Sequence, residues 1–515
     1  MLLPAANSGY GSPIKRGTNN GPKLLALDVG TTAVKAALFT AGGELLALGT
    51  REYDLEKPSP DRVELDPEIY WKASCDCIAD CLGISGTPPD EVKSMAITGQ
   101  AETLIVVDEA GRPLRKAIVW LDNRARDEAR SIAGLYEVRE IHAITGQHEI
   151  VPCWPACKLL WISQNEPKVF ARAARFLMVE DYLAWRLTGV YATDPALNPS
   201  TLYLDIRSRQ WYPPMLKTIG IDASQLPSLV PSGGRIGNVI DGRAGLSSQT
   251  ALVAAPLDQI CGSIGAGCIK SGMVSETTGC ALAVCALTSD PVPDPRRRFG
   301  FYLHGSPGQF ALLPWAPVAG MLLKNFRDQL GRGSSYAELD AEAADAPCGS
   351  EGLIILPHCA GTVTPEANPD AKGVAYGFTM AHTRGHFTRA ILESVAYLLR
   401  EQVELVRESG SHCAEIRSLG GAASSALWLQ IKADVLDRPV VTTTCAESTS
   451  LGAAMLAAVG AGLYQNLEEA AEKMVSLKAR INPIAENVRI YEKCYQNYLA
   501  LNSAMSPLYS KITHD

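Results

Sequence analysis

Two short segments carry side chains suited to phosphate chemistry. The first is Asp28-Val29-Gly30-Thr31-Thr32, with Lys35 three residues beyond, and the second is Glu276-Thr277-Thr278-Gly279. In the first, Gly30 lets the backbone turn tightly and approach a ligand closely. Successive N–H groups and the hydroxyls of Thr31 and Thr32 can then cradle phosphate oxygens, and Lys35 adds positive charge. Asp28 ends an apolar run, where its carboxylate can hold Mg2+ directly or through water, since this ion usually keeps several waters. A plain hairpin turn accounts for either segment taken alone. Two in one chain suggest loops that clamp a triphosphate from both sides.

The elements around them are legible from hydrophobic patterning. KLLALDVGTTAVKAALF, residues 23–39, reads as a buried strand, a tight turn and a returning strand, and GELLALGTREYDL as a third strand. This meander is not the strand-then-helix opening of a dinucleotide-binding unit. Residues 66–81 have helical spacing behind a capping Asp66 and Pro67. VKSMAITGQ reads as a strand running into a polar loop, and ETLIVVDEAGRPLRKAIVW as a hairpin-like pair around Gly111. Helical patterns fill much of 123–189, and 194–245 reads as irregular structure with short helices. SGMVSETTGCALAVCAL repeats the strand, Thr-Thr-Gly turn, strand pattern, and marks a second half related to the first. Long helices follow, one over Arg384 to Glu408 and one after the glycines at 420–421.

Composition bounds the possibilities. A chain of 515 residues exceeds the size at which one core keeps growing, about 250–300 residues, so two large domains are expected. We place a flexible arm at 1–22, a first domain at 23–257 and a second at 258–515. The net charge of -8 argues against nucleic-acid and membrane-surface partners. No apolar run approaches the length of a membrane span. The start lacks the apolar core of a secretory signal, so the 14 cysteines are expected as free thiols in a cytoplasmic protein. Cys75, Cys77 and Cys81 lack the partners of a zinc site and read as helix residues.

At this point the sequence resembles the FGGY carbohydrate kinases, a branch of the actin-like, Hsp70-like ATPase superfamily. Residues 155–165, PACKLLWISQN, match the first family signature, with Cys153 departing from its usual first position. Gly373-Val-Ala-Tyr-Gly377-Phe followed by HFTRAILE, residues 386–393, matches the second, with Ala375 in place of a larger apolar residue. Residues 420–434, GGAASSALWLQIKAD, look like the adenosine-binding loop and helix, and residues 447–454, ESTSLGAA, like the helix start after it. The resemblance runs from about Lys23 to Gly460. It implies an α/β fold of two RNase H-like domains with a cleft between them, ATP and Mg2+ as cofactors, and a homodimer as the family-level expectation.

The resemblance also implies roles. Asp258, in APLDQICGSIGAG, takes the catalytic-base position, where a carboxylate accepts the proton of a sugar hydroxyl. Gln100, Ala101, Glu102, Asp122, Arg124, Cys153, Trp154 and Gln259 are expected around the carbohydrate. Polyols are held by carboxylates and amides beside an aromatic or apolar wall. Glu102 resembles the glycerol-binding Glu of the family's glycerol kinases, and Gln259 matches them too. The Arg that precedes that Glu is Ala101 here, and the Met-His typical of xylulose kinases is absent. Trp120 to Arg124 is similar to the xylulose kinases, although a structural salt bridge accounts for Asp122 and Arg124 as well. Lys158 and Trp161 are expected to stabilise the domain without touching substrate. Gly30, Thr31, Thr32, Lys35, Thr278, Gly279, Gly361, Gly420, Gly421 and Ser425 are expected at the nucleotide and Asp28 at the metal, with Ser424 replacing a Lys common in pentulose kinases.

The function implied is transfer of the ATP γ-phosphate to a terminal hydroxyl of a ketopentose. A polyol or sugar acid such as erythritol, glycerol or gluconate, or a deoxyhexulose, is the alternative acceptor. A non-catalytic sugar or ATP sensor, a chaperone-like ATPase and a hexokinase-type enzyme are the competing classes.

Overall fold

The computed structural model describes residues 21–290, 294 and 296–513; most of the expected N-terminal arm lies outside them. The first half is built on a six-stranded sheet of β1 (Lys23–Val29), β2 (Ala33–Thr40), β3 (Leu45–Glu52), β4 (Val92–Gly99), β5 (Arg235–Asn238) and β6 (Ala251–Val253). Its order is β5-β6-β4-β1-β2-β3, with β1 antiparallel to β2 and parallel to β4. β1 is buried along nearly its whole length because it is central and covered on both faces.

Helix α1 (Pro67–Ser85) follows β3. Asp66 caps it by accepting from Glu68 N at 3.0 Å, and Gly86 ends it in the left-handed region. α1 covers one face of the sheet, where Leu25, Leu27, Val34 and Ala36 meet Tyr70, Cys77 and Cys81. Cys77 and Cys81 are therefore core residues, as expected, and Cys75 is half-buried. α2 (Pro155–Asn165) and α3 (Val179–Thr188) also belong to this half. Between them the expected helical stretch is broken by the strand Arg175–Met178, which pairs with Leu104–Val107. Four residues between two helices leave too short a window for period-two alternation to show.

α4 (Asp258–Gly265) joins the halves. The second half repeats the plan with β7 (Val274–Thr278), β8 (Leu282–Thr288), β9 (Gly300–Leu303), β10 (Phe310–Leu313), β11 (Ile416–Leu419), β12 (Val440–Thr443) and β13 (Leu477–Ile481). The path runs β9-β10-β8-β7-β11-β12-β13, again with the opening strand antiparallel to the next and parallel to its other neighbour, β11. α5 (Arg384–Glu408), α6 (Ala426–Leu436) and α7 (Ser448–Gly460) belong to this half.

α7 lies on the first half's sheet. Leu24, Ala26, Ala37 and Ala96, which alternate with the residues under α1, pack with Ile260, Ile264 of α4 and Leu451, Ala454 of α7. Cys285 and Leu287 of β8 face the same layer, whereas Val284 and Ala286 face the opposite one with α5. Two helices thus sit between two related sheets. They approach at glycines: a Cβ on Gly265 would fall 1.8 Å from the Ser448 carbonyl oxygen, and one on Gly452 1.9 Å from that of Cys261.

Candidate active site

The parallel strands β1, β4 and β6 end side by side, and the residues just beyond them converge. Asp28 is the penultimate residue of β1, Gln100 follows β4, and Asp258 opens α4 five residues after β6. Ligand sites in open α/β sheets form at such carboxyl ends. Thr98 Oγ1 donates to the Pro256 carbonyl at 2.7 Å and anchors the segment leading to Asp258.

The carboxylates here act on one another. Burial pushes the Asp258 carboxyl up to about 8, with Asp28 and Glu102 adding to the rise and the Gln259 backbone N–H, 2.6 Å away, opposing it. Burial raises Asp28 to about 6, with Lys35 holding it down and Glu447 pushing it up. Crowded carboxyls with little counter-charge suit a cation. Among the described residues no cluster of three His, Cys, Asp or Glu is arranged to hold one. The residues present fit Mg2+ bound through one or two carboxylates, phosphate oxygens and waters rather than a protein cage.

Among the residues expected at the carbohydrate, Gln100 is buried, donates through Nε2 to Tyr70 Oη at 3.2 Å and leaves Oε1 without a partner. Ala101 is buried beside it. Glu102 has φ 63°, a left-handed backbone that a non-glycine residue adopts at a cost of about 1–3 kcal/mol and which recurs at ligand sites. Its carboxylate accepts from Ser200 Oγ and is raised by burial. Lys158, fully buried, donates to the carbonyls of Glu102 at 2.9 Å and Val119 at 3.0 Å. It therefore supports this loop through the backbone. Cys153 is half-buried, and burial pushes its thiol up to about 12. Trp154 Nε1 donates to the Glu149 carbonyl at 3.2 Å, and Gln259 is half-buried next to Asp258.

Asp122 and Arg124, expected at the carbohydrate or in a structural salt bridge, form an ion pair with each other. Asp122 accepts from Val63 N at 2.6 Å and from Arg124 Nε at 2.8 Å and NH2 at 2.7 Å; Arg124 also donates to Glu64 at 2.7 Å. The guanidinium stacks 4.9 Å from the Trp161 ring. Both carboxylate oxygens of Asp122, and Nε and NH2 of Arg124, are engaged inside this frame. What this segment offers the site is Trp120, whose Nε1 donates to Thr31 Oγ1 at 2.9 Å.

Among the residues expected at the nucleotide, the turn at Gly30 closes with Gly30 N donating to Ala33 O at 2.9 Å. Gly30 is not in the left-handed region; close packing explains it better than turn geometry, since a Cβ there would sit 3.1 Å from Ala33 O. Thr32 is exposed, and Lys35 pairs with Glu447 at 2.9 Å. In the second turn Gly279 N donates to Ala281 O at 3.0 Å, and a Cβ on Gly279 would meet open space. Gly420, with φ 78°, passes so close that a Cβ would lie 2.9 Å from the Thr278 carbonyl oxygen; Gly421 faces open space. These glycines leave a shelf of bare backbone. Ser425 caps α6, accepting from Trp428 N at 3.1 Å, so its hydroxyl is occupied as a cap. Gly361, with φ 81°, lies in a loop tethered to Trp315 N through Thr364 Oγ1 at 3.3 Å.

Sequence reasoning missed several residues here. Glu180, at the start of α3, is buried with neither carboxylate oxygen partnered, and burial holds its carboxyl well above the usual range, with Asp258 and Glu102 adding to the rise. Tyr302, from the second half, is influenced by Glu102 and Cys153 and donates to Gln147 at 3.2 Å. Tyr53 donates to the Gly30 carbonyl. None belongs to a motif; each is placed by pairing between distant strands and helices.

Comparison with known proteins identifies the family. Residues 23–265 match the model of the FGGY family of carbohydrate kinases, N-terminal domain, and 274–461 that of its C-terminal domain. The chain is 30% identical to a xylulose kinase of Bacillus subtilis over 92% of its own length and 95% of that protein's. It is 32% identical to a glycerol kinase of Citrifermentans bemidjiense over 90% and 95%. The solved structure of a xylulose kinase from Rhodospirillum rubrum superimposes with a TM-score of 0.86 at 27% identity, covering 95% of this chain and all of that one.

Proposed function

The chain belongs to the FGGY family of carbohydrate kinases and is an ATP-dependent phosphotransferase acting on an alcohol group; from that premise we propose that its acceptor is a ketopentose of the xylulose or ribulose type and that Asp258 is the catalytic base. The carrying observation is the convergence of Asp258, Glu102 and Gln100 at the strand ends, beside the Thr31–Trp120 contact.

The acceptor hydroxyl binds beside Asp258. As its oxygen bonds to the γ-phosphorus and the bond to the β–γ bridging oxygen breaks, its proton passes to Asp258 and ADP leaves. Glu102 and Gln100 accept hydrogen bonds from neighbouring hydroxyls and hold the reacting one in line. The bare backbone at Gly279 and Gly421 takes the nucleotide, and Asp28 is the ligand proposed for Mg2+. Mg2+, when bound, neutralises charge on the phosphates. Closure of the halves excludes water, which would otherwise compete for the phosphoryl group.

The pocket's burial favours a neutral acceptor. Asp258, Glu102, Glu149 and Glu180 all show carboxyls raised by burial, and Lys158 beside them is bound to two carbonyls. The same burial would penalise the carboxylate of a sugar acid. A polyol is the second reading, favoured by Glu102 and by Gln259 after Asp258. ADP release measured over ketopentoses, polyols and sugar acids tests the choice. The highest kcat/KM on a ketopentose is expected; the highest on glycerol, erythritol or gluconate overturns it.

A further inference from the structure

Glu276 joins three segments around the second phosphate loop. Its Oε1 accepts from Lys432 Nζ at 2.6 Å and from Ser418 Oγ, and its Oε2 from Thr278 Oγ1 at 2.7 Å. Lys432 Nζ also donates to Thr278 Oγ1 at 2.9 Å. Glu276 and Thr278 lie on β7, Ser418 on β11 and Lys432 on α6. Both charged side chains are completely buried.

A buried ion pair is a poor source of stability, because desolvation of two charges offsets their attraction. What this one does supply is geometry. Thr278 directs its hydroxyl hydrogen to Glu276 and accepts from Lys432, so the hydroxyl has no hydrogen left for a phosphate. The turn must then offer backbone N–H groups, whose placement depends on how Thr278 is held. Ser418 stands two residues before Gly420, whose backbone crosses the Thr278 carbonyl. Lys432 sits on the helix that begins at the Ser425 cap.

We propose that Lys432 and Glu276 are positioning residues for the nucleotide, fixing the spacing between the turn at 278–279 and the glycines at 420–421. This rests on the nucleotide role proposed for those two loops. Neither residue touches the nucleotide. The pair sets a distance between two loops that do.

Lys432→Met alone strands a buried carboxylate and can unfold the protein. The decisive variant is K432M combined with E276Q, which leaves no buried charge and keeps an acceptor for Ser418. Its melting temperature should stay near the parent's. ADP affinity by calorimetry should weaken about tenfold, the loss of roughly one hydrogen bond to a charged group, with carbohydrate KM within about twofold. Parent-like ADP affinity in the folded double variant, or equal losses for both substrates, overturns the proposal. If the double variant does not fold, Ser418→Ala reads the same split without altering charge, and unchanged ADP affinity there overturns it. Gly279→Leu separates the two levels: ADP binding that survives it means the loop assignment has failed and the positioning role falls with it, whereas ADP binding lost there but parent-like in the double variant overturns the positioning role alone.

Discussion

The ammonium group of Lys35 lies 2.9 Å from the carboxylate of Glu447 across a sequence separation of 412 residues. Lys35 is the cross-strand neighbour of Asp28, and Glu447 stands immediately before α7. The pair ties the strand that follows the Gly30 turn to the second half. Being partly exposed, it contributes little stability; its main effect is on Asp28, which Lys35 holds down and Glu447 pushes up. If Asp28 must be ionised to hold Mg2+, Lys35→Met should move the acid limb of the kcat/KM profile to higher pH. Glu447→Gln should move it lower. Displacements in the same direction for both variants would show that another group titrates.

Asp258→Asn should lower turnover by about a hundredfold or more, the range of a lost general base, while ADP binding persists. The free enzyme's Asp258 carboxyl, raised to about 8, is largely protonated at neutral pH. kcat/KM for the carbohydrate should therefore rise with pH towards that value, as a property of the Asp258–Asp28 pair rather than of one residue. A flat profile from pH 6 to 9 removes Asp258 from the base position.

The same shift predicts a gain in stability. The folded pKa lies above the unfolded one, so this carboxyl favours folding below the unfolded pKa and loses that contribution as pH rises through about 8. Asp258→Asn should raise the melting temperature by a few degrees at pH 8 and by less at pH 4. A lower melting temperature at pH 8 contradicts the burial argument.

Glu102→Gln should raise carbohydrate KM about tenfold, as expected where a charged acceptor is lost from a polyol, and leave ADP affinity unchanged. The variant keeps the size of the side chain and its bond to Ser200. Unchanged carbohydrate KM would place Glu102 outside the pocket.

Arg124→Met should behave differently. It strands the buried Asp122, so a loss of about 3–5 kcal/mol in stability is expected. Material that remains folded at low temperature should keep a carbohydrate KM close to the parent's. A large rise in KM without loss of stability would return Arg124 to the substrate.

What the sequence disclosed follows from how local each feature is. The paired Thr-Gly turns are legible because strand, turn and strand are contiguous, and the 3.6 period of Arg384–Glu408 marks that helix to its ends. Asp122 and Arg124 are ambiguous because a W-x-D-x-R spacing suits a ligand and an internal salt bridge alike; their partners Val63 and Glu64 lie some 60 residues away, outside any local pattern. Glu180, Tyr302 and Lys432 carry no local signal. Lys432 meets Glu276 over 156 residues, and a lone Lys in a helix otherwise reads as solvent-exposed.

Where α4 crosses α7, no side chain separates the two backbones, since Gly265 and Gly452 each lie where a methyl group would strike a carbonyl. α4 begins with the proposed proton acceptor, and α7 follows the residue that reaches the first phosphate turn. The gap between these helices is already at its minimum, so substitution there can only widen it. Any larger residue acts as a wedge, moving Asp258 and the Lys35–Glu447 pair apart without touching either. The spacing of these two groups thus depends on two hydrogen atoms, one on each glycine.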